Sequence, residues 1–402
     1  MKYTPEEVLL YLKEEDVKFV RMSFCDPFGR QKNVAIMADE LPRAFEYGIG
    51  FDASAIDGFN GEVRSDLFLQ PDPSTLVELP WRPQHGRVCL MFCNIFRPDG
   101  SPFPSDTRRI LAQAVQCAEK MGYSFAFGTE MEFYLFKTDE DGNRTMEPLD
   151  QAGYMDIAPD DRGENVRREI CLTLERMGMH PEASHHESGP GQNEIDFRYA
   201  DPISAADHAV LFRSVVKTIA SLNGLWADFS PRPLSDFDGS GMHINISARK
   251  DGREMSPLAL VPGLTDKICD MTVFLNAAEN SYARLGRDKA PAYVTWSEEN
   301  RSQLIRIPAS AGEYRRLELR SPDSTANPYL AFALIIHACL EGISEGLPLP
   351  EAADFNTLHA AAQLLHPYRK LPASLAEARS AAAESSFIRS VLPEEVISAY
   401  CV

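Results

Sequence analysis

Apolar and polar positions alternate along the chain with two different periods, and the switches between them mark its elements. Near the start, Val8, Leu9, Tyr11 and Leu12 recur as on an amphipathic helix. They lead into FVRMSFCDPFGRQKNVAI, where two apolar stretches flank Asp26-Pro27-Phe28-Gly29. Aspartate, proline and glycine in that order favour a tight reversal, so this segment predicts a β-hairpin. Strand-like pieces continue through VCLMFCNIF, and the Pro-, Gly- and Asp-rich stretch from Pro98 to Ser105 reads as a linker. This places a domain boundary there, giving a small domain over 1–103 and a larger α+β domain over 104–402. Ser105 and Asp106 can cap a helix whose apolar positions Ile110, Leu111, Ala114, Val115 and Ala118 follow the helical period. The Ala-rich stretch SLAEARSAAAESS predicts a plain surface helix.

The period of two carries the chemistry. In SFAFGTEMEFYLF, strand alternation puts Phe125, Phe127, Met131, Phe133 and Leu135 on one face and Gly128, Glu130 and Glu132 on the other. In GQNEIDFRY, Ile195, Phe197 and Tyr199 oppose Glu194 and Asp196, and in MHINIS, Met242, Ile244 and Ile246 oppose His243, Asn245 and Ser247. In RRLELRS, Leu317 and Leu319 face away from Arg316, Glu318 and Arg320. Any one of these alone is an ordinary half-solvated strand of an antiparallel sheet. If the four polar faces line one cavity, Glu130, Glu132, Glu194, Glu318 and His243 converge. Carboxylates so close repel and take up protons unless cations neutralise them. Carboxylates with one imidazole suit Mg²⁺ or Mn²⁺ better than zinc, which favours thiolate and imidazole.

Composition narrows the function. A chain of 402 residues, 44% hydrophobic, can bury a large core. A formal net charge of -19 argues against sequence-independent binding to nucleic acid or an anionic membrane. Charges interrupt MKYTPEEVLLYLKEEDVKF every few residues, so it is expected neither to serve as a signal peptide nor to span a bilayer, and the expected compartment is the cytosol. Eight cysteines without a CxxC pattern resemble neither a disulfide framework nor a zinc site and are expected to be mostly buried thiols.

The segments FGTEMEFYLF, HHESGPGQNEIDF, DGSGMHINIS, NSYARL, ENRSQLIRIP and RRLELRSPDSTANPYLAFA occur in the order found in glutamine synthetases, and the resemblance covers most of the chain. It implies a small N-terminal β-grasp domain, carrying VRMSFCDPFGRQKNV, FDASAIDGF and SDLFLQPDPST. A larger catalytic domain follows, with a curved antiparallel sheet lining the active site and flanking helices. Carried over position by position, it implies metal ligands Glu132, Glu187 and Glu194 for one Mg²⁺ or Mn²⁺ ion, with Glu130, His243 and Glu318 for another. The implied reaction uses ATP to phosphorylate the γ-carboxylate of glutamate. By the same resemblance Arg284 and Arg320, with Asp238 and Gly239, bind the amino-acid substrate. Arg301 stabilises the transferring phosphoryl group, and Arg306, Tyr199, Asn245 and Ser247 lie near the nucleotide. Asp52 binds and helps deprotonate ammonium, beside Tyr154. The loop of Asp52 serves a neighbouring subunit's site, which implies a ring-shaped homo-oligomer, a hexamer or dodecamer with shared sites.

Departures from the family pattern concentrate on the second half of the reaction. In NSYARLGRDKAPAYV, Lys289 stands before Ala290-Pro291 where the family's flap carries a glutamate, and the segment is one residue shorter. A lysine there repels ammonium. Asp238 replaces an asparagine, Asn245 a histidine and Ala55 a serine. The C-terminus lacks the extension that docks opposing rings, which leaves a single or weakly stacked ring, and the tyrosine loop used for adenylylation is not found. The leading expectation is glutamate–ammonia ligation. The alternatives are a ligase joining glutamate to an alkylamine, ethanolamine or polyamine through the same acyl phosphate, a phosphagen-kinase-like enzyme, and a non-catalytic paralogue that keeps the scaffold.

Overall fold

The structure is a computed structural model that describes residues 3–59, 65–82, 85–310, 312 and 315–402. The expected hairpin forms between β1 (Val17–Cys25) and β2 (Gln31–Met37). Its reversal is closed by Gly29 N–H donating to the Asp26 carbonyl at 3.0 Å and Arg30 N–H donating to Asp26 Oδ1 at 2.9 Å. With β3 (Ile49–Asp52), β4 (Asp66–Pro71), β5 (Val77–Glu78) and β6 (Arg87–Phe96), it makes a sheet of order β2-β1-β6-β4-β3, with β5 on β6. Helices α1 (Pro5–Glu14) and α2 (Leu41–Tyr47) accompany this sheet, over a core that includes Val8, Val20, Met22, Leu41, Leu67 and Met91.

The second sheet is built around β7 (Tyr123–Thr138), with β8 (Arg144–Pro148), β9 (Pro181–His186), β10 (Gln192–Phe197), β11 (Leu225–Asp228), β12 (Met242–Lys250) and β13 (Arg253–Glu254). Three short strands, β14 (Trp296–Glu298), β15 (Ile305–Ile307) and β16 (Leu317–Leu319), complete the order β14-β15-β16-β12-β7-β10-β9. The sheet is mixed rather than wholly antiparallel, because β14 and β15 run parallel. Helices α3 (Thr107–Lys120), α4 (Glu164–Arg176), α5 (Pro202–Leu222), α6 (Val261–Leu275), the short α7 (Ser281–Arg284) and α8 (Pro328–Ser344) surround it.

As alternation requires, Phe125, Phe127, Met131, Phe133 and Leu135 of β7 are buried in the core that α3, α5 and α8 share. Phe127 stacks on Phe332 of α8 at 4.3 Å. The helical cover on that face leaves the opposite face, with its glutamates, to line a cavity. Asp106 caps α3 by accepting from the amides of Arg108 and Arg109. Arg108 then ties the two sheets together, donating to Asp72 at 2.9 Å, Asn94 at 3.2 Å and Asp207 of α5 at 3.0 Å. The Ala-rich stretch does form a helix, Leu375–Glu384, but it is not plain surface: Ala378 and Ala382, four apart, are buried on the side that packs against α6. All eight cysteines are free. Among the described residues, no helix is long and apolar enough to cross a membrane.

Candidate active site

Strand register decides which of the carboxylates meet. In β7 and β12, Glu130 stands opposite His243, and in β7 and β10, Glu132 stands opposite Glu194. On the other side of β12, Asn245 stands opposite Glu318 of β16. The result is a cavity of about 550 Å³ whose lining includes Glu130, Glu132, Glu187, Glu194, Asp196 and His243 from the sheet centre and its β9–β10 turn. Arg301, Arg306, Arg316 and Arg320 enter the same cavity from the β14–β16 side, so an anionic pole faces a cationic one.

Donor atoms of Glu130, His243 and Glu318 lie within 4.8 Å of one another, as do those of Glu132, Glu194 and His243 and those of His185, Glu187 and Glu194. Glu194 is common to the last two groups. Burial, reinforced by the charge of Glu194, raises the pKa values of Glu130, Glu132 and Glu187. Against the cost of burial, a hydrogen bond from His185 holds Glu194 low. Burial and the neighbouring charge of Arg320 push His243 down to about 3, which leaves its imidazole neutral and able to donate a lone pair. Carboxyl groups so strained toward protonation, next to a neutral imidazole, fit the donor set of Mg²⁺ or Mn²⁺. Among the described residues, the buried Asp196 Oδ1, Tyr199 Oη, Arg306 Nε and Arg320 Nε have no hydrogen-bond partner, as groups awaiting a polar ligand would.

The loop around DGSGMH closes one wall. Gly241 N–H donates to Glu132 Oε2 at 2.7 Å, and a Cβ at Gly241 would lie 2.5 Å from Arg284 Nη2 and 3.0 Å from His243 Nε2, so only glycine fits. Asp238 and Gly239 line the cavity, the Asp238 carbonyl accepting from Tyr134 Oη at 2.5 Å and the Gly239 carbonyl from Gln192 Nε2 at 3.1 Å. Arg284 also reaches the wall, but its guanidinium is held by the carbonyls of Ser321 at 2.8 Å, Pro322 at 3.3 Å and Arg320 at 3.2 Å. Glu318 is fully buried between Arg306, at 2.6 Å, and Arg320.

Several expected site residues lie at or beyond the margin of this cavity. Asn245, two residues along β12 from His243, bridges Glu130 at 2.8 Å to Arg316 at 2.9 Å, and neither it nor Ser247, farther along, is in the lining of this cavity. Tyr199 does not keep to the apolar face on which alternation puts it. β10 ends at Phe197, and the hydroxyl of Tyr199, raised by burial, senses Arg316, Glu130 and Glu318 on the site side. Asp52 lies outside the cavity; it is exposed at the end of β3 and accepts from Ser54 N–H at 2.9 Å.

Asp196 and Arg316, placed on the polar strand faces but given no role by the motifs, line the cavity, as do His185, which faces Glu194 at 3.3 Å, and Gln192. Each lies inside a quoted strand motif, where its proximity to a named ligand was the available signal. Lys289, whose direction the sequence leaves open, points in: its Nζ lies 3.1 Å from Ser188 Oγ, 3.8 Å from Glu187 Oε2 and 4.7 Å from the ring centre of Tyr154.

Two family models match the chain in order, the glutamine synthetase beta-Grasp domain over residues 16–98 and the glutamine synthetase catalytic domain over 104–402. The glutamine synthetase of Methanosarcina mazei is 46% identical over 412 residues, covering 99% of this chain and 92% of its own length. That of Clostridium saccharobutylicum is 42% identical over 414 residues, covering 99% and 94%. A solved structure of a GmaS/ADP complex superposes with a TM-score of 0.89 at 28% identity, covering 100% of this chain and 94% of that one. With both models matched in order and relatives aligned along almost the whole length, the chain belongs to the glutamine synthetase family.

Proposed function

We propose that this protein is an ATP-dependent ligase that joins glutamate to ammonia, forming glutamine, ADP and phosphate through a γ-glutamyl phosphate. The observation that carries the reading is the two-poled cavity, with Glu130, Glu132, Glu187, Glu194 and His243 facing Arg301, Arg306, Arg316 and Arg320. Phosphoryl transfer between two anions needs positioning and charge neutralisation above all. Glu130, His243 and Glu318 would hold one Mg²⁺ or Mn²⁺ ion, and Glu132, Glu187 and Glu194 another. Such ions, when bound, offset the charge between the ATP phosphates and the substrate carboxylate.

The chain's own residues supply the rest. Arg306 and Arg320, fixed by Glu318, present preset guanidiniums to the anionic reactants, and Arg301 reaches the transferring phosphoryl group. Asp238, Gly239 and Arg284 form the wall against which the amino acid is held. Tyr199 and Asn245 lie on the nucleotide side, with Ser247 beyond them. Asp52 is exposed and outside this cavity, so its part in deprotonating the amine requires a neighbouring subunit, in keeping with a ring-shaped homo-oligomer.

Purified protein with Mg²⁺ or Mn²⁺, ATP and glutamate is expected to release phosphate when ammonia is added. Silence with ammonia, methylamine, ethanolamine and putrescine alike would refute ligase chemistry. The second reading, a γ-glutamyl-amine ligase, is favoured by one observation: the Lys289 ammonium already stands beside Glu187, which disfavours a small cation in its place. A preference for a bulkier amine in the same assay would select it.

A further inference from the structure

A second cavity opens at the junction of the two sheets, and it takes Phe125 from the face of β7 that the helices cover. At about 920 Å³ it is larger than the active-site cavity, and the two share no lining residue among those described. One wall is the segment 72–77 that leads into β5, with Phe92 of β6 beside it. The others are α3, the start of α5 and the 177–179 turn after α4. Phe92, Phe125, Leu211, Met177 and Met179 make the apolar part of the lining, enough to take the body of a small organic molecule.

The charge in this lining is one-sided. Four carboxylates, Asp72, Glu119, Asp201 and Asp207, stand against one guanidinium, and that guanidinium, Arg108, is already bound to Asp72 at 2.9 Å and Asp207 at 3.0 Å. Lys250, over the ring of Tyr123 at 4.2 Å, is outside the lining. Asp201, Ser204 and His208 follow one another at three and four residues, so they share one face of α5 and put a polar stripe into the cavity. Asp201 accepts from Ser204 N–H at 3.2 Å and so offsets the positive end of the helix. Burial lowers the pKa of His208, against the pull of Asp207 and Asp201, which leaves a neutral imidazole with a lone pair to offer. Such a lining repels an anion, and a neutral molecule leaves its carboxylates unused.

We propose that this junction cavity is a binding site for an organic cation, a single ammonium group on an apolar body of about the size of phenethylammonium. The body lies against Phe92, Phe125 and Leu211. The ammonium head meets Asp201 and the neutral His208, and Glu119 adds to the negative field that draws it in. A molecule held there touches elements of both sheets, across the joint that Arg108 bridges.

The test is calorimetric titration of the protein with phenethylammonium, 2-phenylethanol and phenylacetate, which share a ring and differ in the charge of the head. Phenethylammonium is expected to saturate one site per chain and to bind at least about tenfold more tightly than the alcohol, with phenylacetate weakest. The double variant Asp201→Asn, Glu119→Gln should weaken the ammonium about tenfold, since two partly exposed charges are lost. Asparagine still caps α5, so the helix is kept. Glu119→Gln alone, expected to cost about threefold, serves if the double variant does not fold. Glu132→Ala, in the other cavity, should leave the affinity unchanged. Ammonium binding that falls in Glu132→Ala but not in the double variant belongs to the catalytic cavity and overturns the proposal. So do equal affinity for the alcohol, tighter binding of phenylacetate, and no binding of the ammonium at all.

Discussion

Gly189, in the turn between β9 and β10, gives the most direct test of how the site is held together. A Cβ there would lie 2.0 Å from Tyr134 Oη, 2.8 Å from Tyr134 Cζ and 2.9 Å from Gln192 Oε1. Tyr134 is fully buried, so the ring has nowhere to retreat without moving its neighbours. Ordinary contact begins at 3.4 Å, and the Gly189→Ala protein must find about 1.4 Å by displacing the hydroxyl that donates to the Asp238 carbonyl. Overpacking of this kind costs about 1–3 kcal/mol, and the lost buried hydrogen bond adds about 1 kcal/mol.

Gly189→Ala is therefore expected to destabilise the protein by about 2–4 kcal/mol in chemical denaturation. It should also raise the KM for glutamate, because Asp238 and Gly239 line the cavity and Gln192 supports the Gly239 carbonyl. Tyr134→Phe removes the closest atom but leaves Cζ, so the double variant should recover part of the loss. A denaturation midpoint and KM equal to those of wild type would refute the reasoning, as would the absence of any coupling between the two sites.

Three further outcomes follow from the site and its supports. Glu318→Ala leaves the guanidiniums of Arg306 and Arg320 facing each other without their shared carboxylate, and should cost about 3–5 kcal/mol in denaturant unfolding, whereas a loss under about 1 kcal/mol contradicts the buried arrangement. Mg²⁺ or Mn²⁺ at about a hundred times its Kd should stabilise chelator-treated protein by about 2.7 kcal/mol in thermal unfolding, and Glu132→Ala should shrink that gain and abolish turnover. A wild type indifferent to both metals would sink the metal assignment. Asp106, at the start of α3, has its carboxyl pushed from 3.8 to about 6 by burial, against the pull of the Ile95 amide and the Arg108 charge. A carboxyl raised on folding lowers stability as it ionises, so wild type should lose up to about 3 kcal/mol as pH climbs from about 4 to about 6. Asp106→Asn should flatten that slope in pH-dependent denaturation; an unchanged slope would mean another group is responsible.

What the sequence by itself determined was local and periodic. Side chains alternate along any strand, so Glu130 and Glu132 had to share a face opposite Phe127, Met131 and Phe133 wherever β7 came to lie. The Asp26–Gly29 reversal and the Asp106 cap were equally legible, because their bonds close within a few residues. Motif order carried the family and the names of most site residues.

Tertiary structure decided which faces meet. Pairing register set His243 against Glu130 and Glu194 against Glu132, and one residue of slip would have turned either partner to the far side of the sheet. It gave Asn245 to Glu130 and Arg316, enclosed the Arg284 guanidinium in backbone carbonyls, and left Asp52 outside the cavity. It also turned Lys289 inward through the positive φ of Asp288 and the pull of Arg232, a contact across 56 residues that no local pattern encodes. Alternation and capping are set by neighbours in the chain, whereas a cavity is set by neighbours in space.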